Sequence, residues 1–286
     1  MLRKIIRPYQ AESMDYPASK KKPTMAELAD RHLLYQQSVQ DVETEIEFVC
    51  KTWESLRERP AVLMREDFCG TAATSCEWIR RGLQHVAVGI DLDKEVLEWG
   101  RANNLAALEP AQQQRIDLLN GDVRSTRLEP ADIILAMNFS YYLFQTRVQL
   151  REYFQNALAG LADDGILFLD AYGGYEAPME IEEPRECDGF TYIWEQASFN
   201  PIDSLMNCLI HFEFPDKSRL DSAFSYHWRL WTLPEIREVL EEAGFEQVTI
   251  YWEGTNEENN EGNGIYEPAD TGDADPGWVC YIVAEK

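Results

Sequence analysis

The ten residues Arg65-Glu-Asp-Phe-Cys-Gly-Thr-Ala-Ala-Thr74 (REDFCGTAAT) directly follow the apolar run Ala61–Met64 and lead into a helical pattern at Thr74–Arg81. This order predicts a strand, a loop and a helix. In nucleotide-binding folds, a glycine-rich turn occupies the same place. Gly70 is the one glycine in the segment. The segment is therefore either a ligand-binding loop with few glycines or an ordinary turn.

The same alternation of strand and helix recurs through residues 59–172, where short apolar runs are bounded by turn residues. The predicted strands are Ala61–Met64, Val86–Ile90, Ile116–Leu119, Ile133–Met137 and Ile166–Leu169, and the predicted helices are Thr74–Arg81, Lys94–Asn104 and Thr146–Leu161. Continuous apolar strands that alternate with helices indicate a parallel sheet covered on both faces.

Residues 173–231 have a different pattern. Apolar and polar residues alternate with period two in three runs rich in aromatic residues, which predicts about three antiparallel strands. We expect this segment to be an inserted subdomain that forms a lid over the substrate.

The strand and helix pattern resumes in residues 232–286. A capping box at Thr232–Glu235 opens a helix that ends at Gly244, and strands follow at Val248–Trp252 and Trp278–Ala284. No helical pattern separates these two strands, so the last strand is expected to be antiparallel. We therefore predict an α/β fold: a Rossmann-like, seven-stranded, mostly parallel sheet with an antiparallel last strand, plus a small antiparallel β subdomain inserted between strands five and six.

Two N-terminal segments and one internal segment lie outside this pattern. Residues 1–22 are polar and basic and predict a flexible arm. Residues 23–58 predict two helices, one from Thr24 to Val39 and one from Val42 to Trp53. We expect these helices to cover the ligand-binding site. Residues 253–277 are acidic and rich in Gly, Asn and Asp, so we expect a solvated loop.

Composition narrows the possible partners and compartments. The 286 residues carry a formal net charge of −25, which disfavours binding to nucleic acids and to anionic membranes. The sequence has no apolar run of about 18 residues that would span a membrane, and the N-terminal residues lack a secretory signal. The six cysteines form no CxxC pair, so we expect a cytoplasmic, reduced protein without disulfides or structural zinc.

Acidic residues follow the second and third predicted strands, at the edge where open α/β sheets bind ligands. Asp91 ends strand two, where a carboxylate can accept hydrogen bonds from both hydroxyls of a ribose. Asp122, in Asn120-Gly-Asp-Val123, follows strand three, where it can accept a hydrogen bond from an adenine amino group. These residues also have structural interpretations, since Asp can cap a helix or stabilise a turn.

These motifs together resemble the class I S-adenosylmethionine-dependent methyltransferases, over about residues 60 to 286. The resemblance rests on GIDLD at 89–93, GDV at 121–123, AMNFSYYLF at 136–144, GILFLDAYGG at 165–174 and WTLPEIREVLEEAGF at 231–245. The inserted sheet is similar to that of small-molecule N-methyltransferases of the glycine and sarcosine type. The resemblance implies S-adenosylmethionine as cofactor, S-adenosylhomocysteine as product and no metal.

The first motif of this family is an acid followed by three glycines at alternating positions. Aligned on the segment above, the acid is Glu66, or Asp67 if the register shifts by one, and the glycine positions hold Phe68, Gly70 and Ala72. S-adenosylmethionine has no phosphate, so the need for glycine is weaker than in a dinucleotide site. The resemblance implies that cofactor is bound by Glu66, Cys69, Gly70, Thr71, Asp91, Leu92, Asp122, Val123, Asn138 and Tyr35.

The strand-four end of this family faces the methyl group and the substrate, so Asn138 and Tyr141 are candidates for the site. Tyr141 and His227 are candidate general bases, and Arg229 is a candidate partner for a substrate carboxylate. Packing or solvent exposure is the alternative for each of them.

The preferred function is methyl transfer to a small molecule through a nitrogen or oxygen nucleophile. A protein methyltransferase and a non-catalytic S-adenosylmethionine-binding partner stay open, as do the identity of the acceptor and the choice between monomer and dimer.

Overall fold

The computed structural model describes residues 22–256 and 262–286 and contains two β-sheets, one of eight strands and one of four. Residues 1–21, nearly all of the predicted N-terminal arm, lie outside the described residues, as do residues 257–261 of the predicted acidic loop. Within the described part of the chain, no helix is long and apolar enough to cross a membrane.

The helices and strands follow the alternation expected from the sequence. The helices are α1 (Met25–Leu28), α2 (Arg31–Ser38), α3 (Val42–Leu56), α4 (Ala73–Arg81), α5 (Lys94–Asn103), α6 (Pro110–Gln113), α7 (Arg147–Gly160) and α8 (Leu233–Ala243). The strands are β1 (Leu63–Asp67), β2 (Val86–Asp91), β3 (Ile116–Asn120), β4 (Ala131–Ala136), β5 (Leu161–Gly173), β6 (Ile181–Cys187), β7 (Phe190–Asn200), β8 (Leu205–Glu213), β9 (Arg219–Arg229), β10 (Gln247–Thr255), β11 (Gly262–Pro268) and β12 (Trp278–Glu285).

The large sheet has the order β11-β10-β12-β5-β4-β1-β2-β3. Strands β1 to β5 pair in parallel, and β12 is inserted antiparallel between β5 and β10. This arrangement confirms the predicted fold class, including the antiparallel last strand. The carboxyl ends of β1 to β5 therefore meet along one edge of the sheet.

The large sheet has one strand more than predicted. Strand β11 pairs antiparallel with β10 and lies inside residues 253–277, so the interpretation of that whole segment as a loop is wrong. Its sequence, GNGIYEP, has three small or polar residues before the first apolar one and shows no period of two. The pairing comes from the adjacent edge of β10 rather than from an apolar face of its own.

The N-terminal helix predicted from Thr24 to Val39 is two helices, with a break at Ala29 and Asp30. The carboxylate of Asp30 accepts hydrogen bonds from the backbone N–H groups of His32 and Leu33 and so caps α2. An Asp inside a helical pattern is itself an N-cap signal, so Asp30 marks the break in the sequence as well.

The inserted sheet has the order β6-β7-β8-β9, one strand more than predicted. The additional strand β6 contains three Glu, one Arg and one Pro and is mostly exposed, so it shows no alternation of apolar residues. Trp228 on β9 packs its ring against Phe139 and Tyr142, which follow β4. The inserted sheet therefore lies over the carboxyl ends of the large sheet, as a lid would. The division of the chain into segments 1–22, 23–58, 59–172, 173–231 and 232–286 stays a prediction.

A buried ion pair lies at the carboxyl end of β1. Arg65 Nε is 2.7 Å from Asp67 Oδ1, and the two side chains are only 3% and 0% exposed. The hydroxyl of Tyr153 on α7 donates to the same carboxylate at 3.0 Å, and Arg65 donates to the carbonyl of Val123 at 3.0 Å. This network fixes α7 and the loop after β3 to the end of β1.

Replacing Arg65 with Met is expected to lower the free energy of unfolding by about 3–5 kcal/mol, because it leaves the Asp67 carboxylate buried without its partner. Urea denaturation measures the loss. The control is Arg147→Met, since the ion pair of Arg147 with Glu242 is about two-fifths exposed on both sides and contributes at most about 1 kcal/mol. Equal small losses in both variants would contradict this role of the network.

Candidate functional site

In the turn after β1, every second residue has a left-handed backbone conformation. Phe68, Gly70 and Ala72 have φ angles of 58°, 52° and 59°. These are the three positions at which the resemblance expects glycine. A left-handed conformation costs a residue with a side chain about 1–2 kcal/mol, so Phe68 and Ala72 keep the backbone shape of a glycine motif at an energetic cost. Strain of this kind is concentrated at ligand-binding and active sites.

The turn is tied to the end of the neighbouring strand. The N–H of Gly70 donates to Asp91 Oδ2 at 2.8 Å, and the N–H of Asp93 donates to Asp91 Oδ1 at 2.8 Å. Burial raises the pKa of the Asp91 carboxyl above its ordinary value. Asp93 caps α5 through the N–H groups of Glu95 and Val96. Capping is therefore the role of Asp93, and Asp91 is positioned beside the turn.

Glu66 is buried behind the turn. Its carboxylate accepts hydrogen bonds from the backbone N–H of Ser75, at 2.9 Å, and from the Ser75 hydroxyl. Burial raises its pKa to about 7. Asp67, the alternative in a shifted register, points to the opposite face of β1 and is occupied by Arg65. The left-handed positions and the direction of Glu66 both agree with the unshifted register.

A cavity of about 510 Å³, here called the strand-end cavity, lies at the ends of β1 to β3. It brings together five of the residues singled out from the sequence, and Tyr226 and Trp228 of β9 close its other side. Those five are Asp91, Leu92, Asp122, Val123 and His227. The carboxylate of Asp122 also accepts a hydrogen bond from Arg124 at 2.6 Å.

A second cavity, of about 890 Å³, lies between α2, the end of the large sheet and the inserted sheet. We call it the aromatic cavity. Its walls include the rings of Tyr35, Phe139, Tyr172, Tyr192, Trp194, Tyr226, Trp228, Tyr266 and Trp278. The charged lining residues of the described chain are Glu176, Glu183, Glu253 and Arg185. The Arg185 guanidinium lies over the Tyr192 ring, 5.1 Å from its centre.

The two cavities meet at the loop after β4. Asn138 and Phe139 line the aromatic cavity, the next residue Ser140 lines the strand-end cavity, and Tyr226 and Trp228 line both. Asn138 and Phe139 are both left-handed, with φ angles of 57° and 54°. The two cavities are therefore neighbours, separated by residues 138–140, Tyr226 and Trp228.

Asp170 at the end of β5 holds this loop, and the sequence analysis did not single it out. Its carboxylate accepts the N–H of Asn138 at 2.7 Å and the N–H of Phe139 at 2.8 Å. Burial raises its pKa to about 7. A signal was available, because Asp170 ends the predicted strand five in the motif GILFLDAYGG just as Asp91 ends strand two.

Two of the three predicted catalytic residues lie away from both cavities. Tyr141 is fully buried and its hydroxyl donates to the carbonyl of Asp170 at 2.7 Å. Burial raises the pKa of that hydroxyl far above its ordinary value, so Tyr141 is not a base for a bound substrate. Arg229 pairs with Glu235 at 2.7 Å and stacks on Trp231. Arg229 lines neither the strand-end cavity nor the aromatic cavity, so it is not placed to bind a substrate carboxylate there.

The remaining predicted residues lie in different parts of the structure, some in a cavity wall and some in the turn. His227 lines the rim of the strand-end cavity, is exposed, and its Nδ1 faces Asn207 Oδ1. Tyr35 lines the aromatic cavity rather than the strand-end cavity. Cys69 is buried under the turn. Thr71 binds the N-terminal helices, because Gln36 Nε2 donates to its hydroxyl at 2.6 Å.

No protein-family model matches the sequence, and no curated protein does. Solved structures match in fold at low sequence identity. An S-adenosylmethionine-dependent methyltransferase from Clostridium acetobutylicum is 16% identical over 89% of this chain and 96% of that chain, with a TM-score of 0.64. The amino pentose methyltransferase CalS10 from Micromonospora echinaspora is 16% identical over 89% of this chain and 95% of that chain, with a TM-score of 0.63.

The sugar N-methyltransferase KedS8 from Streptoalloteichus is similar over nearly the whole of both chains. It is 15% identical, with 98% of this chain and 99% of that chain covered and a TM-score of 0.60. At these identities the likeness establishes the architecture. This chain therefore has the fold of S-adenosylmethionine-dependent methyltransferases, as the motifs implied.

The buried Glu66 carboxyl predicts a pH dependence of stability. Its pKa is about 7 in the folded protein against an ordinary 4.5, so between these values the folded state holds a proton that the unfolded state releases. Stability then falls as pH rises from 4.5 to 7. Glu66→Gln has no such proton to release. As pH rises from 4.5 to 8, its free energy of unfolding is therefore expected to rise by on the order of 3 kcal/mol relative to that of wild type.

Urea denaturation of wild type and variant across this range measures the effect. Glu54→Gln on the exposed face of α3 is the control and should keep the slope of wild type. An unchanged slope in Glu66→Gln would show that Glu66 is not protonated in the folded protein near neutral pH.

Proposed function

We propose that this protein is a methyltransferase that uses S-adenosylmethionine to methylate an amine nitrogen of a small molecule. The observation that carries the proposal is the junction of the two cavities at residues 138–140, with Tyr226 and Trp228 as shared walls. A donor in one cavity and an acceptor in the other would meet there.

The residues of the strand-end cavity fit the adenosine part of the cofactor. Asp91 can accept hydrogen bonds from the ribose hydroxyls, and Asp122 can accept one from the adenine amino group. Leu92 and Val123 line the same cavity and offer apolar contact to the adenine ring. The left-handed Gly70 beside Asp91 leaves room for a close approach of the ligand to the backbone.

The aromatic cavity fits a small amine. Its volume of about 890 Å³ is within the usual range of small-molecule sites. Aromatic faces attract cationic groups, and three carboxylates against one guanidinium favour a basic acceptor over an acidic one. The structural neighbours CalS10 and KedS8, which act on an amino pentose and on a sugar nitrogen by their names, support the same class of acceptor.

The chain's own contribution to the reaction is positioning. When bound, S-adenosylmethionine would supply an electrophilic methyl group: the lone pair of the uncharged amine forms the new N–C bond as the C–S bond breaks, and the positive charge passes from sulfur to nitrogen. Asn138 and Phe139 fix the wall at the junction, because both are held by Asp170. Trp194 and Trp228 exclude water and orient the acceptor. Such orientation is worth up to about 7–11 kcal/mol in the best intramolecular cases.

We also propose a cytoplasmic location without nucleic-acid partners. All six cysteines are free thiols, and three of them, Cys69, Cys208 and Cys280, are buried in the two sheets or the turn. The net charge of −25 repels phosphate backbones.

Calorimetric titration with S-adenosylmethionine and S-adenosylhomocysteine tests the cofactor. Wild type is expected to bind both at micromolar concentrations, and Asp91→Ala is expected to bind at least tenfold more weakly because the ribose loses its acceptor. Asp93→Ala is the matched control: it loses a helix cap but should keep the affinity. Absence of binding in wild type, or equal binding in Asp91→Ala, would contradict the proposal.

Replacement of Trp194 tests the acceptor cavity separately. Trp194 lines the aromatic cavity alone, so Trp194→Ala is expected to raise KM for a small amine acceptor at least tenfold and to leave the affinity for S-adenosylmethionine within twofold. Mass spectrometry of products from a panel of small amines and alcohols identifies the acceptor and measures the rates. Unchanged KM, or methylation of peptides instead of small amines, would contradict this assignment.

A further inference from the structure

Glu45 on α3 is a buried acid that none of the sequence motifs contains. The residue is 8% exposed, and its Oε2 is buried without a hydrogen-bond partner in the described part of the chain. The large majority of buried polar side-chain atoms have a partner. An unpartnered carboxylate oxygen at this depth is costly, which points to a ligand that supplies the missing contact.

Glu45 is close to two other buried carboxyls that belong to the site. The hydroxyl of Thr74 is near enough to both Glu45 and Glu66 to lower the pKa of each. The charges of Asp170 and Glu66 act on Glu45 in the opposite direction and, together with burial, raise its pKa. The three carboxyls come from three different elements, α3, β1 and β5.

None of the ion pairs formed within residues 22–256 and 262–286 includes one of these three acids. The main influences on their pKa values are burial, hydrogen bonds and other carboxylates. Asp67 shows the contrast, because its buried carboxylate is paired with Arg65. A buried acid without a partner keeps its proton instead of its charge, in line with the raised pKa of each of the three acids. A cationic ligand would compensate the charge of the ionised form and is the group that would complete this cluster.

The cluster lies where the amino-acid part of a bound cofactor would extend. Asp91 marks the ribose position, and Gly70 and Glu66 lie at the front and the back of the same turn. On the other side, the charges of Glu45 and Asp170 both act on the hydroxyl of Tyr35, which lines the aromatic cavity. Glu45 is thus near both Glu66 behind the turn and Tyr35 of the aromatic cavity.

We propose that Glu45 binds the α-ammonium group of the methionine part of S-adenosylmethionine, with its free Oε2 as acceptor. This inference rests on the proposed function and adds a cofactor-binding residue from the N-terminal helices. It assigns α3 a part in binding, beyond covering the sheet.

The test compares Glu45→Gln with Glu54→Gln, an exposed residue of the same helix. Calorimetry measures the affinity for S-adenosylmethionine and S-adenosylhomocysteine, which both have the α-ammonium group, and for 5′-methylthioadenosine, which lacks the amino-acid part. Glu45→Gln is expected to bind S-adenosylhomocysteine at least tenfold more weakly than wild type and 5′-methylthioadenosine within twofold. Glu54→Gln should equal wild type for both.

Four results would overturn the inference. They are an equal loss for both ligands, no loss for either, a gain for S-adenosylhomocysteine, which would place Glu45 beside the carboxylate, and a loss confined to S-adenosylmethionine, which would place it beside the sulfonium. Binding of 5′-methylthioadenosine by Glu45→Gln shows in the same experiment that the variant is folded. Failure of wild type to bind either ligand would refute the proposed function itself and is therefore distinct from these four results.

An analogue of S-adenosylhomocysteine with hydrogen in place of the amino group gives a second measurement. Wild type should bind it at least tenfold more weakly than S-adenosylhomocysteine, whereas Glu45→Gln should bind the two within about threefold. The same ratio in both proteins would show that the ammonium group is recognised elsewhere.

Discussion

The carboxylate of Asp170 is the contact on which the rest of the site depends. It accepts two successive backbone N–H groups, of Asn138 and Phe139, and so holds both residues in the left-handed conformation. Two such residues in sequence are unfavourable without a compensating interaction. Since this loop forms the junction between the strand-end cavity and the aromatic cavity, Asp170 fixes the place where a donor and an acceptor would meet.

Carboxylates at the ends of two other strands also accept hydrogen bonds from backbone N–H groups. Asp91 ends β2 and holds Gly70, and Glu66 near the end of β1 holds Ser75 at the start of α4. Buried acids that bind backbone N–H groups at this edge ionise more easily when an opposite charge lies beside them. Such a site is suited to a cationic ligand and unsuited to a phosphate, which separates this protein from dinucleotide-binding proteins of similar topology.

Patterns with a local physical cause were predictable from the sequence. The capping box at Thr232, the left-handed Gly244 and the start of the helix after Thr146 lie where expected, and the five parallel strands differ from prediction mainly at their ends. Strands β6 and β11 were missed because they pair through backbone edges and carry no apolar face. The residues proposed to bind the cofactor lie at strand ends, which the sequence pattern marks. The burial of Tyr141 and the pairing of Arg229 depend on packing between distant segments, which the sequence pattern does not show.

A crystal structure of the complex with S-adenosylhomocysteine tests the central claim most directly, because that claim concerns where the two cavities meet. The account predicts the ribose hydroxyls at the Asp91 carboxylate and the sulfur atom at residues 138–140, facing the aromatic cavity beside Trp228. A ligand whose sulfur points away from that cavity, or whose adenosine occupies it, would contradict the account.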